Sequence, residues 1–202
     1  PLEVAQLYHS IAANGFYTPL RAIDSVFTAT NTPLQRYPFK SEQRFDAKTM
    51  QLLHYAMQVV LREGTGKTAY RRLPESLVLA GKTGTTNDQR DSWFAGFSGN
   101  YLSVVWLGRD DNGKTPLTGG TGALQLWTDI MASLDNRSMV FNQPDGVSYH
   151  WVEPASGQLS REGCSGARYL PFIDGSEPQQ QSLCRPASID GVIDWFKDKF
   201  GW

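Results

Sequence analysis

Apolar positions three and four apart open the chain. Val4, Leu7, Tyr8 and Ile11 share one side of a helix predicted over residues 2–14, with Gly15 as its stop. Pro1 suits the first position of that helix, and no Ser or Thr cap precedes it. Extended patterns follow at about 20–28 and 34–37, and the polar turn Asn31-Thr32-Pro33 between them predicts a hairpin. The helical period returns at Met50, Leu53, Met57, Val60 and Leu61, after Asp46 as N-cap and before Gly64. Beyond Pro74, the run Leu77-Val78-Leu79-Ala80 predicts a strand over 77–86. Two more strands, about 91–97 and 101–108, flank the turn Ser98-Gly99-Asn100. The second of these, with Val104-Val105-Trp106-Leu107, is apolar enough to expect burial on both faces. Gly119-Gly120-Thr121-Gly122 then leads to a helix bearing Leu124, Trp127, Ile130, Met131 and Leu134. Helix, strands, helix, three strands, helix is the order of an α+β fold, an antiparallel sheet packed with helices.

From about residue 141 the pattern weakens. Gly, Ser and Pro accumulate around Cys164 and Cys184, with a polar tract, Gln179-Gln180-Gln181, between the two cysteines. Helical spacing resumes only at Ile189, Val192, Ile193, Phe196 and Phe200, a stripe expected to dock on the parent domain rather than on a partner. The expected division is therefore a main domain over 1–140 and a C-terminal extension over 141–202 ending in an amphipathic helix. The cysteines lack zinc-site spacing, which leaves a disulfide or two free thiols. A staple worth about 3 kcal/mol would hold so irregular a segment, so the Cys164–Cys184 disulfide and an oxidising compartment are expected.

Composition removes several classes of function. A net charge of −1 gives no field for gathering nucleic acid or anionic lipid. No apolar run approaches the roughly 20 residues of a membrane span. The chain starts at Pro1 within a helix pattern, which suggests a piece of a larger fold. His9, His54 and His150 are isolated and lack metal spacing, and no cofactor is called for. Arg109-Asp110-Asp111 runs straight into Asn112-Gly113, which marks a turn rather than a carboxylate pair. Trp93 and Phe94 are expected to pack a neighbouring strand.

The candidate chemistry lies at the exit of the 77–86 strand. Gly81-Lys82-Thr83-Gly84-Thr85-Thr86 offers an ammonium, three hydroxyls and glycines that let another backbone approach, groups suited to an anionic peptide. With Gly64-Thr65-Gly66-Lys67-Thr68-Ala69 before it and Trp93-Phe94-Ala95-Gly96-Phe97 after it, the motif resembles the transpeptidase domain of class A penicillin-binding proteins, especially the 1b type. Pro1-Leu2-Glu3-Val4-Ala5-Gln6 is similar to that family's helix after the active-site serine. The resemblance covers about residues 1–135 and extends more loosely over the cysteine segment and Asp190-Gly191-Val192-Ile193-Asp194-Trp195.

The resemblance implies the C-terminal half of a penicillin-binding and serine β-lactamase-like transpeptidase fold, one that cross-links peptidoglycan stem peptides through a serine acyl-enzyme and is acylated by β-lactams. No lysine here has a Ser or Thr three positions earlier, so the Ser-x-x-Lys nucleophile motif is absent from this chain. Ser98-Gly99-Asn100 spells the family's Ser-x-Asn motif on the wrong side of Lys82 and is read as a decoy. By the same resemblance Lys82 and Thr85 are catalytic, with Lys82 assisting charge and proton movement and the Thr85 N–H serving the oxyanion hole. Thr83, Gly84, Thr85 and Thr86 would bind substrate, Thr86 in a supporting role. Implied partners are stem peptides, β-lactams, the upstream half of the same domain, and cell-wall or division proteins, with no nucleic acid. The implied setting is the periplasmic face of a bacterial inner membrane, beside an upstream glycosyltransferase. A D,D-carboxypeptidase or β-lactamase-like hydrolase, or a non-catalytic penicillin-recognising module, are the alternatives.

Overall fold

A computed structural model describes residues 1–140 and 143–183 of the chain, which divides into two compact units, 1–142 and 143–202. In the first unit, helix α1 spans Leu2–Ala12 and ends before Gly15. Pro1 stands at the cap position, one residue earlier than expected, and makes no side-chain cap bond. Only part of the predicted face is covered: Ile11 is buried and Tyr8 packs beside it, whereas Leu7 is 50% exposed. Strands β1 (Phe16–Tyr17), β2 (Ser25–Phe27), β3 (Pro33–Arg36) and β4 (Glu42–Gln43) follow. The expected hairpin is the β2–β3 pair, shorter than its pattern and exposed at Ile23, Phe27 and Leu34. The β1–β4 pair was not legible, since two residues per strand carry no period.

Helix α2, Ala47–Arg62, starts as expected. Asp46 Oδ2 accepts the Lys48 and Thr49 N–H groups at 3.0 and 3.2 Å, satisfying two donors that a helix start leaves open. A 3₁₀ turn at Lys67–Arg71 leads to β5 (Ala80–Thr85), β6 (Ser92–Phe97) and β7 (Leu102–Leu107), an antiparallel sheet in the order β5-β6-β7. Strand pairing begins at Ala80 rather than at Leu77, because Val78 bonds the chain beyond the last helix. Its N–H donates to Ser138 Oγ and its carbonyl accepts from Met139 N–H. Helix α3 spans Ala123–Ala132.

The doubly buried strand is β6, not β7. Phe94 enters a cluster with Leu61, Leu79, Val105, Leu124, Trp127 and Met131, while Phe97 enters another with Ile11, Met50, Met57 and Ala80. Alternation sends these two rings to opposite faces of the central strand, where α3 and α1 cover it. On β7 only Val105 is buried, and Trp106 stays 38% exposed. An apolar run thus overstated the burial of an outer strand.

The second unit corrects the expectation of little regular structure. Strands β8 (Val147–Glu153), β9 (Gln158–Leu159) and β10 (Arg168–Ile173) form an antiparallel sheet in the order β10-β8-β9. Both faces carry rings, so no apolar–polar alternation announces the strands. Tyr149 and Trp151 meet Tyr169 at 5.3 and 5.2 Å on one face, and His150 meets Phe172 at 6.0 Å on the other. Cys164 is buried, and no free cysteine occurs among the described residues. Cys184 and the stripe from Ile189 to Phe200 lie outside the described residues.

Candidate active site

Strand β5 is the outer strand opposite β7, and it pairs with β6 through Lys82↔Ala95, Thr83↔Phe94, Gly84↔Trp93 and Thr85↔Ser92. Thr83 and Thr85 point to one face of the sheet and Lys82 to the other. Lys82 is exposed and its Nζ donates to the Thr83 carbonyl at 2.8 Å along the strand edge.

The threonine face is bordered by two connections. Thr65 Oγ1 lies 2.7 Å from Thr83 Oγ1, and the Gly119 N–H donates to Thr85 Oγ1 at 2.8 Å. Gly119 is there because nothing larger fits: a Cβ on it would stand 2.6 Å from the Gly84 carbonyl oxygen and 2.8 Å from that of Trp93. Ser92, fully buried beside Thr85 on β6, secures this connection. Its Oγ donates to the Thr118 carbonyl at 2.7 Å and accepts the Ala123 N–H at 2.9 Å. Gly84 leaves room for Trp93, whose Cβ would be 3.1 Å from an added one.

Thr86 is turned away from this group. Its hydroxyl donates to Asp91 Oδ2 and accepts the Asp91 N–H, both at 2.9 Å, while Trp106 Nε1 donates to Asp91 Oδ1. That arrangement closes the β5–β6 connection. The structure therefore brings together Thr83, Thr85, Thr65 and Gly119, sets Lys82 on the same strand edge, and places Thr86 in a turn. Ser92 and Gly119 were not singled out by sequence reasoning, and Thr65 entered only within the Gly64-Thr65-Gly66 family motif, with no role of its own. Gly119 lay inside a glycine-rich stretch that read as a turn, and the bonds of Thr65 and Gly119 to β5 span 18 and 34 residues.

The remaining polar candidates are structural. Ser98 Oγ accepts the Tyr101 N–H at 3.1 Å, and Asn100 Oδ1 accepts the Arg137 N–H at 2.9 Å, so Ser98-Gly99-Asn100 is a braced turn. Arg109 holds Asp111 through two bonds, 2.9 and 2.7 Å, and the Gly113 N–H adds a third. The Arg109 guanidinium, aided by Gly113, lowers the Asp111 carboxyl to about 2, which fixes it as an anion and removes it from proton transfer near neutral pH. His54 is buried with Nε2 2.6 Å from the Ile11 carbonyl, and burial lowers its pKa. Phe94 is core, and Trp93 packs on Trp106 at 6.1 Å. Among the described residues no group of three His, Cys, Asp or Glu side chains is placed to hold a metal ion, and no helix is long and apolar enough to cross a membrane.

An edge strand with an ammonium and paired hydroxyls, on an antiparallel sheet backed by helices, is the architecture of a penicillin-recognising transpeptidase. Residues 1–109 match the penicillin-binding protein transpeptidase domain, and the chain belongs to that family. It is 35% identical to penicillin-binding protein 1B of Vibrio cholerae over 100% of this chain and 25% of that protein. It is 34% identical to penicillin-binding protein 1B of Escherichia coli, again over 100% of this chain and 27% of that protein. The chain thus spans about a quarter of the length of these curated relatives. The crystal structure of penicillin-binding protein 1A from Haemophilus influenzae superposes with a TM-score of 0.81 at 22% identity, over 91% of this chain and 33% of that one. A ceftriaxone acyl-enzyme complex of penicillin-binding protein A from M. tuberculosis gives 0.53 at 21% identity, over 67% of this chain and 32% of that one. These two show a shared fold.

Proposed function

We propose that this chain forms one wall of a serine D,D-transpeptidase site within a bifunctional peptidoglycan synthase. The observation that carries the reading is the pair of hydroxyls, Thr83 and Thr85, on one face of an open strand edge in a chain of this family. In the proposed reaction a serine supplied by chain outside this sequence attacks the D-Ala-D-Ala carbonyl. D-alanine leaves, and an amine of a neighbouring stem peptide takes the acyl group.

Each residue of β5 has a part. Lys82 stabilises negative charge and assists proton movement beside the serine, where exclusion of water strengthens its field. The Thr83 and Thr85 hydroxyls hold the terminal carboxylate. The Thr85 N–H completes an oxyanion hole, a donor of the kind that carries about 3 kcal/mol of transition-state stabilisation. The stem peptide lies along the edge at Gly84 as an added strand, with affinity from the backbone. Thr86 shapes the turn and does not contact substrate, since its hydroxyl is engaged with Asp91.

No metal or organic cofactor enters this chemistry. β-Lactams are proposed to acylate the same serine, in keeping with the ceftriaxone acyl-enzyme of the M. tuberculosis structure. The partners are stem peptides, the upstream half of the domain and cell-wall or division proteins, at the periplasmic face of the inner membrane. The test is fluorescent penicillin on the full-length protein, with labelling expected at one serine. Folded protein that takes no label contradicts the proposal. Product analysis with and without an acceptor amine separates a transpeptidase from a carboxypeptidase or β-lactamase.

A further inference from the structure

The hydroxyls of Thr83 and Thr85 are each hydrogen-bonded to another group. Thr85 Oγ1 already accepts the Gly119 N–H, so its own proton is free to point elsewhere. Thr83 and Thr65 share one hydrogen bond, and either oxygen is able to donate. A hydroxyl has a single proton. If Thr83 spends it on Thr65, nothing is left for an anion. If Thr65 donates, Thr83 becomes an outward donor like Thr85.

We propose that Thr65 is a positioning residue for anion recognition: its hydroxyl donates to Thr83 Oγ1 and thereby turns Thr83 into a donor toward the carboxylate end of the substrate. The inference rests on the transpeptidase reading and adds a residue to it. The result is two parallel relays, Thr65 to Thr83 to anion and Gly119 N–H to Thr85 to anion, in which each bond polarises the next. Both relays are anchored by the main chain. The Gly64 and Gly66 N–H groups bond the Val59 and Val60 carbonyls at the end of α2, which fixes the turn that carries Thr65. Ser92 does the same for the turn that carries Gly119.

Two outward donors also set specificity. They match the two oxygens of a carboxylate. A carboxamide end presents an NH₂ to one of them, and a donor facing a donor leaves both unsatisfied. A site built this way favours a free C-terminal carboxylate over its amide.

The test uses the full-length protein and the second-order rate constant of acylation by fluorescent penicillin, in a cycle of Thr65→Val, Thr83→Val and the double variant. Thr65→Val is expected to lower that constant about tenfold, equivalent to about 1.4 kcal/mol, through weaker binding rather than a slower first-order step. Thr65→Ser should restore it to within about twofold, since the hydroxyl returns. On the Thr83→Val background the effect of Thr65→Val should vanish, because the relay is already cut. Competition by a D-Ala-D-Ala peptide and by its C-terminal amide should show the carboxylate preference narrowing in Thr65→Val. Thr65 is exposed, so melting temperature should not move, and Thr65→Ala provides a second variant without the hydroxyl. A wild-type rate in both hydroxyl-less variants overturns the inference, as does a loss of equal size with or without Thr83. Wild-type protein that is never acylated overturns the transpeptidase reading itself, and the inference with it.

Discussion

His54 shows what a single buried side chain can report. A carbonyl only accepts, so Nε2 carries the proton in its bond to Ile11, and the ring edge meets Phe97 at 5.7 Å. Burial lowers the pKa from 6.5, while the Ile11 carbonyl opposes that shift more weakly. The unfolded chain therefore takes up a proton as pH falls through about 6.5, before the native state does. Stability contributed by the neutral ring is complete above that pH and declines below it, until the native pKa is passed. The slope cannot exceed about 1.4 kcal/mol per pH unit for one group. Melting temperatures between pH 7.5 and 5.5 should fall more steeply for the wild type than for His54→Gln, which keeps a donor and loses the titration. Parallel profiles would refute this assignment.

At the scale of elements, what local chemistry specifies was legible and what distant pairing specifies was not. Asp46 announced α2, Gly15 announced the end of α1, and the three strands of the main sheet were read in the right order. The candidate strand was legible because Lys82-Thr83-Gly84 is contiguous. Its supports were not, since Thr65, Ser92 and Gly119 meet Thr83, Thr118 and Thr85 across 18, 26 and 34 residues. The burial of β6 over β7 was hidden for the same reason: composition tells how apolar a strand is, and only its neighbours tell whether it is central. Ser92 is the joint between sheet and site. Ser92→Ala strands the Ala123 N–H in a buried place, at a cost of about 1–3 kcal/mol, while the Thr118 carbonyl keeps the Gly122 N–H. Denaturant unfolding should show that loss, and penicillin acylation should slow as the Gly119 connection loosens. Stability within about 0.5 kcal/mol of wild type would contradict the joint.

For the whole molecule, the two compact units are held by different means. Residues 1–142 have a helix-covered sheet and two apolar clusters. The described part of 143–202 has a three-stranded sheet, and its Cys164 is buried. A Cys164–Cys184 bond closing that segment would stabilise it by about 3 kcal/mol. Protein isolated from an oxidising compartment should therefore take no alkylating label until it is reduced, then two; two labels without reduction would rule the bond out. The central claim concerns β5. Its most direct measurement is the acylation of full-length protein by fluorescent penicillin with the labelled serine mapped, wild type against Lys82→Met. The expected result is one labelled serine outside residues 1–202 and a rate reduced about 100-fold or more in Lys82→Met at unchanged melting temperature. Labelling at Ser98 or any other serine of this sequence, or an undiminished rate without the Lys82 ammonium, would contradict it.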